Sequence, residues 1–278
     1  MTVLDVLRQL LARTAPKSAA TITAARARAH SHRLIKQWGI DRLNLKLIAN
    51  LGRDVLEGPF AGLRLTPMCE AEHIGPFLLG VYESEIDEAW ATVLGGRYDQ
   101  IVDVGAKFGY YAAGLARTYP ESMVTAFDID PWARRAMTEM SAANGLSNVQ
   151  TRGFCDPGWF DEHLTDASLI VSDCEGYETV LFERITSLRL GTATIIVETH
   201  DDFVRGSTDR VVAALSSTHV IHRFDGHDRR LSTRDLSFLT EEERRLAQHE
   251  VRGNQMWLLC LPSAVPNQHL AATSTRRE

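Results

Sequence analysis

The residues with the greatest capacity for chemistry in this chain are carboxylates that close apolar runs. Ile101-Val102-Asp103-Val104 leads into Gly105-Ala106-Lys107-Phe108-Gly109-Tyr110-Tyr111, a buried-strand pattern that turns through two glycines into a helical one. Met123 to Phe127 ends at Asp128, Val149 to Phe154 ends at Cys155-Asp156, and Ala167 to Ser172 ends at Asp173-Cys174-Glu175-Gly176. Ala193 to Glu198 continues into Thr199-His200-Asp201-Asp202. A pyrophosphate fingerprint, G-x-G-x-x-G, sets backbone amides and a helix N-terminus against two phosphates. Here the spacing is G-x-x-x-G, and a carboxylate at Asp103 would repel phosphate. A ligand that carries an ammonium and a sulfonium suits it. S-adenosylmethionine has that chemistry, and a nicotinamide dinucleotide does not.

The spacing extends this reading. Asp128 follows Asp103 by 25 residues (128 minus 103), close to the roughly 20 that separate such a turn from a ribose-binding acid. Asp156 is placed to accept from the adenine amino group. The expected cofactor contacts are therefore Asp103, Gly105, Lys107 and Gly109, Asp128 with Ile129, Cys155 with Asp156, and Asp173.

Methyl transfer is an in-line displacement, so the protein must position the acceptor and, for a hydroxyl, remove a proton. The expected catalytic residues are His200, Asp173 and Glu175. His200 is the favoured base, acting as a neutral imidazole with a pKa around 6–7. Glu175 has an alternative structural role, accepting backbone amides where the loop turns at Gly176. Asp173, His200 and Asp201 together also have the donor set of a Mg²⁺ cage, although no metal is assigned. Cys174 reads as a small buried residue, and His219 and His222 as packing or surface residues.

D-V-G-A-K-F-G-Y-Y from 103, F-D-I-D-P from 127, D-C-E-G-Y-E from 173 and I-I-V-E-T-H from 195, in that order, resemble the FkbM-type branch of class I S-adenosylmethionine-dependent methyltransferases. Upstream, Gly58 to Leu63 and Leu78 to Glu83 resemble segments that precede the glycine loop in some of its members. The similarity covers roughly residues 75 to 261. It implies a Rossmann-like seven-stranded sheet with helices on both faces, and methyl transfer, often to a hydroxyl of a small natural product or sugar. It does not imply which one.

At 278 residues, with 44% hydrophobic and 24% charged, the chain has room for one α/β domain plus an accessory segment. Its four cysteines show neither C-x-x-C nor zinc-like spacing, which predicts reduced thiols in a cytoplasm. The sequence shows no membrane span and no hydrophobic signal core. The net charge of −6 is uneven: residues 1–53 hold ten Lys or Arg against Asp5 and Asp41, so that segment carries +8 and the remainder −14. An acidic body argues against nucleic acid as the partner. The basic segment is expected to be a solvated cap, serving as a lid over a small-molecule acceptor or as a homodimer contact. Two alternatives stay open, an enzyme that methylates RNA or another polymer through this segment and a non-catalytic scaffold that binds the cofactor.

The elements that must position these residues follow from periodicity. Helices are expected over residues 1–53, with apolar faces at Val3, Leu4, Leu7, Leu10, Leu11 and at Leu43, Leu47, Ile48, Leu51. A short hairpin is expected from Val55 to Leu65 and a helix from Glu85 to Leu94. Strand and helix then alternate, with helices near 109–118, 131–143, 176–188 and 208–216, strands at 193–198 and 219–224, and a last strand at 254–261, which the resemblance implies is an antiparallel insertion. The predicted division is an N-terminal helical cap with its hairpin at 1–95, a cofactor-binding domain at 96–262 and a loose tail at 263–278.

Overall fold

A computed structural model describes residues 28–226, 229–250 and 255–263. The apolar face at Val3 to Leu11 and most of the expected tail lie outside the described residues.

Seven strands form one mixed sheet: β1 Gln100–Val104, β2 Met123–Phe127, β3 Val149–Arg152, β4 Ser168–Ser172, β5 Thr194–Thr199, β6 His219–Asp225 and β7 Met256–Pro262. Their order is β3-β2-β1-β4-β5-β7-β6. The first five are parallel, and β7 inserts antiparallel between β5 and β6. This is the α/β Rossmann-like methyltransferase arrangement that the resemblance implies, and its doubly wound form is the one that the strand–helix alternation predicts. The order reverses at β1, so the crevice beyond the carboxyl ends of β1 and β4 is where a ligand is received.

Period-two alternation divides the core. Ile101, Val124, Leu169, Ile196 and Trp257 pack with the helices Tyr110–Thr118 and Pro131–Ala143 and with the N-terminal cap. Val102, Ile170, Ile195, Val197 and Leu258 pack on the opposite side with the helices Pro157–His163, Glu178–Arg184 and Ser207–Leu215. Asp103 shares the face of Ile101 and is thereby turned toward the cap side, only 2% exposed.

The cap holds a helix at 28–37, a helix Ile40–Leu51 and the helix Asp87–Leu94. Leu43, Leu47, Phe60, Leu63 and Trp90 join the same core as β1, so the cap is continuous with the sheet's packing. The expected hairpin is reduced to a single antiparallel bridge, Asp54 with Arg64, because glycine turns at Gly58 and Gly62 reverse the chain before a ladder can form. The third strand ends at Arg152, short of the expected Phe154, because Asp156 and Pro157 start a helix that periodicity missed. The polar helix Glu241–Gln248 was also missed; its N-terminus carries a capping box between Thr240 and Glu243. The helix expected at 176–188 is shorter, Glu178–Arg184, because Glu175 and Gly176 take positive φ values of 56° and 100°.

Several of the described basic residues of the cap are engaged within the chain. Arg28 pairs with Asp130 at 2.6 Å and lies over Trp132, Lys46 pairs with Glu243 at 2.7 Å, and Arg53 pairs with Glu70. Among the described residues no helix is long and apolar enough to cross a membrane.

Candidate active site

The turn after β1 is built by its neighbours. Gly105 has φ 89°, and a Cβ there would lie 1.7 Å from the carbonyl oxygen of Asp173. Glycine is required because the β1 and β4 loops touch. At Gly109, φ 90°, a Cβ would press within 2.7 Å of Met137 Cγ. Between them Lys107 also takes a positive φ, 49°, and its N–H donates to Asp128 Oδ2 at 2.9 Å. Asp128 Oδ1 accepts from the Asp130 N–H at 2.7 Å. The second acid is thus fastened to the first loop.

Asp103 is different. Its Oδ2 is buried and has no hydrogen-bond partner. Burial, followed by the charge of Asp128, pushes its carboxyl up to about 7. Burial likewise raises Asp128 to about 6, against the lowering effect of its two backbone amides. A buried acceptor without a donor is costly. An ammonium group from a ligand would satisfy this oxygen and restore its charge, so the residues present fit the amino-acid end of S-adenosylmethionine.

Asp156 is exposed and serves as an N-cap, its Oδ1 accepting from the Gly158 N–H at 3.0 Å. Asp130 caps the helix Pro131–Ala143 in the same way, accepting from the Trp132 N–H at 2.9 Å. Both are Asp-Pro starts, a cap residue followed by a proline at the first helical position. Cys155 is buried, and burial raises its thiol pKa. Phe154 packs on Tyr177 at 5.3 Å, so the segment after β3 and the segment after β4 meet there.

At the ends of β4 and β5 the structure brings together Asp173, Glu175 and His200 with Glu198, which closes the fifth-strand run in the sequence, and with Glu83 and Glu178, to which sequence reading gave no role. His200 is 1% exposed. Its Nδ1 lies 2.8 Å from Glu178 Oε1, and its Nε2 lies 3.2 Å from Glu198, 3.4 Å from Asp173 and 3.8 Å from Glu175. Burial alone would lower the imidazole's pKa, but the hydrogen bonds to Glu178 and Glu198 and the charge of Asp173 outweigh it and carry it up to about 11. This differs from the neutral form expected from the sequence: carboxylates at both ring nitrogens favour the imidazolium. The Asp173 carboxyl is raised as well, well above the usual carboxylate range, by burial and by the charges of Glu198, Glu83 and Glu175. Glu83 comes from the cap, with the Tyr111 hydroxyl donating to it and its own N–H donating to Glu250 Oε1 at 2.7 Å.

Ligand atoms of Asp173, Glu175 and His200 lie within 4.8 Å of one another, as do those of Glu83, Asp173 and Glu198. Either set has the donors for a divalent ion. Asp201 does not join them; its carboxylate accepts from the N–H and hydroxyl of Thr208, capping the next helix. The cage of Asp173, His200 and Asp201 is thus not assembled. Above His200 the ring of Phe203 stacks at 5.6 Å with its plane tilted by 22°, and Phe203 is 62% exposed. Cys174 is partly buried, with its thiol raised well above its ordinary range, burial being the main cause.

Among known proteins, no family model matches the chain, and no curated protein matches it. Solved structures with similar folds include a protein named "putative O-methyltransferase" from Klebsiella pneumoniae (12% identity, 83% of this chain and 100% of that one, TM-score 0.48). A precorrin-6y C5,15-methyltransferase from Geobacter metallireducens is another (13% identity, 64% and 89%, TM-score 0.41). TrmN from Thermus thermophilus is a third (14% identity, 68% and 49%, TM-score 0.43). These likenesses are distant, and the fold assignment rests on the strand order itself.

Proposed function

We propose that this protein is an S-adenosylmethionine-dependent methyltransferase of the FkbM-type branch that methylates a hydroxyl of a small metabolite or sugar. The observation that carries the reading is the buried, unpartnered Oδ2 of Asp103 beside the glycine turn, an acceptor that a cationic amino-acid group completes. Asp128, held by the amides of Lys107 and Asp130, keeps lone pairs for the ribose hydroxyls. The cofactor, when bound, supplies an electrophilic methyl group.

The chain's own residues do the rest. Asp173, with its affinity for protons raised by Glu198, Glu83 and Glu175, takes the acceptor's proton. His200 is the cation that balances these acids and keeps Asp173 oriented. Glu175, with a 71% exposed side chain, stands at the rim to accept from acceptor hydroxyls. The exposed ring of Phe203 offers an apolar face to the same acceptor. Carboxylates that bind hydroxyls beside an aromatic face suit a sugar better than a polymer backbone. The intramolecular pairs of Arg28, Lys46 and Arg53 weaken the RNA alternative, because cations already paired within the chain have less to offer phosphates. A homodimer through the cap belongs to the same reading, supported by exposed Trp38 and Leu45; light scattering on the full chain decides it.

Calorimetry with S-adenosylmethionine, S-adenosylhomocysteine and NAD tests the cofactor assignment, with binding of the first two and none of the third as the expected result. Labelled cofactor incubated with fractionated metabolites then identifies the acceptor. Activity lost in EDTA and restored by Mg²⁺ would move Asp173 from proton acceptor to metal ligand.

A further inference from the structure

Glu178 is an unusual residue to find where it is. It opens the helix Glu178–Arg184 and is completely buried. One of its oxygens, Oε1, accepts from two directions: the Cys174 N–H at 3.0 Å and His200 Nδ1 at 2.8 Å. The first donor belongs to the loop after β4, between Asp173 and the left-handed Glu175; the second belongs to the residue that follows β5. Its other oxygen, Oε2, is buried with no hydrogen-bond partner. A carboxylate half satisfied in the core is expensive, and an apolar side chain of similar size would serve stability better. What the carboxylate achieves is geometric. It ties two separate strand-end loops through one atom, and by accepting from Nδ1 it turns Nε2 toward Asp173 and Glu198.

We propose that Glu178 is the positioning residue of this site, holding the β4 loop and His200 in one register so that the imidazole Nε2–H is aimed at Glu198, beside Asp173. Glu178 touches no acceptor and acts only through His200 and the Cys174 amide. The charged groups that face the ring are Glu178 from its helix, Asp173 and Glu175 from the loop after β4, and Glu198 from β5, with Lys107 of the glycine turn acting on Asp173 and Glu175. The link to turnover rests on the methyltransferase reading; the tautomer and charge of His200 do not.

The test is long-range proton–nitrogen NMR of the imidazoles in the full chain, with the His200 signal identified by its loss in His200→Gln. In the wild type His200 should carry protons on both nitrogens at neutral pH. In Glu178→Gln, which keeps the shape and removes the charge, its pKa should fall by about one unit or more, the usual effect of losing an opposite charge at this distance. S-adenosylmethionine affinity should change by less than about threefold, since 1.4 kcal/mol would be tenfold. Turnover, once an acceptor is known, should drop in kcat without a matching change in cofactor KM, and Glu178→Asp should recover part of it. A wild-type His200 that is neutral at pH 7 overturns the proposal without any variant, as does a folded Glu178→Gln protein with an unchanged His200 pKa. Failure to bind the cofactor would instead overturn the methyltransferase reading and leave the His200 result standing.

Discussion

The two halves of the strand-end rim solve the problem of buried charge in opposite ways. Beyond β4 and β5, His200 sits among Asp173, Glu175, Glu178 and Glu198 with carboxylates at both ring nitrogens. Beyond β1, Asp103 is just as deeply buried, yet it has an oxygen with no partner and a raised pKa. The first half brings its own cation; in the proposed function the second half is completed by a ligand's. Unpartnered oxygens occur in both halves, Asp173 Oδ1 and Glu178 Oε2 in the first and Asp103 Oδ2 in the second, so what separates the halves is the buried cation at His200. Mutations in the two halves should therefore differ in kind as well as in size.

The largest effects belong to the self-contained half. His200→Ala removes a buried cation from the acids around it, and breaking a buried ion pair in this way costs about 3–5 kcal/mol; urea denaturation at neutral pH should show a midpoint shifted down accordingly. Asp173→Asn should leave a folded protein whose turnover falls by roughly 10²–10⁴-fold, the range for loss of a proton-transfer group, as read from labelled-methyl incorporation. A near-wild-type rate would remove Asp173 as the base.

The ligand-completed half should yield smaller, cofactor-linked changes. Asp128→Ala should weaken S-adenosylmethionine by about 1.5–3 kcal/mol, the value of a hydrogen bond to a charged group, with little change in stability. Unchanged affinity by calorimetry would cancel the ribose assignment. Asp103 supplies the pH signature. Its carboxyl, raised to about 7, is protonated in the free protein below that pH, and a bound ammonium ionises it. Cofactor affinity should thus rise up to about tenfold per pH unit on approach to pH 7 from below and level off above it, with proton release on binding. The same sign governs stability: a folded pKa above the unfolded value means that the wild type loses stability as pH rises from about 4 to about 7. Asp103→Asn should consequently gain Tm over the wild type at about pH 8 more than at about pH 5, while losing cofactor affinity. A flat affinity profile would show that Asp103 is already ionised and partnered.

The smallest effect lies away from the rim. Lys46 and Glu243 are both partly exposed, and Lys46→Ala should change stability by about 1 kcal/mol or less, with no effect on the cofactor.

The chain order of the strands, the glycine turn and the acids at Asp103, Asp128 and Asp173 were legible in the sequence. They depend on local rules: apolar alternation, glycine where φ is positive, and an acid at the point where a strand stops. The Asp-Pro start at Asp156 was legible in principle as well, since a cap residue before proline marks a helix; the strand reading overran it. What tertiary structure alone decided is which acids share a space. Glu83, 90 residues before Asp173 in the sequence (173 minus 83), reaches the same cluster because the cap packs on the sheet's β1 face. Glu178 and Glu198 close on His200 because β4 and β5 lie side by side. The charge of a histidine depends on every group within a few ångströms, and chain spacing does not encode those distances. His200 therefore read as a neutral base in the sequence, whereas in the fold the carboxylates at both ring nitrogens favour its cationic form.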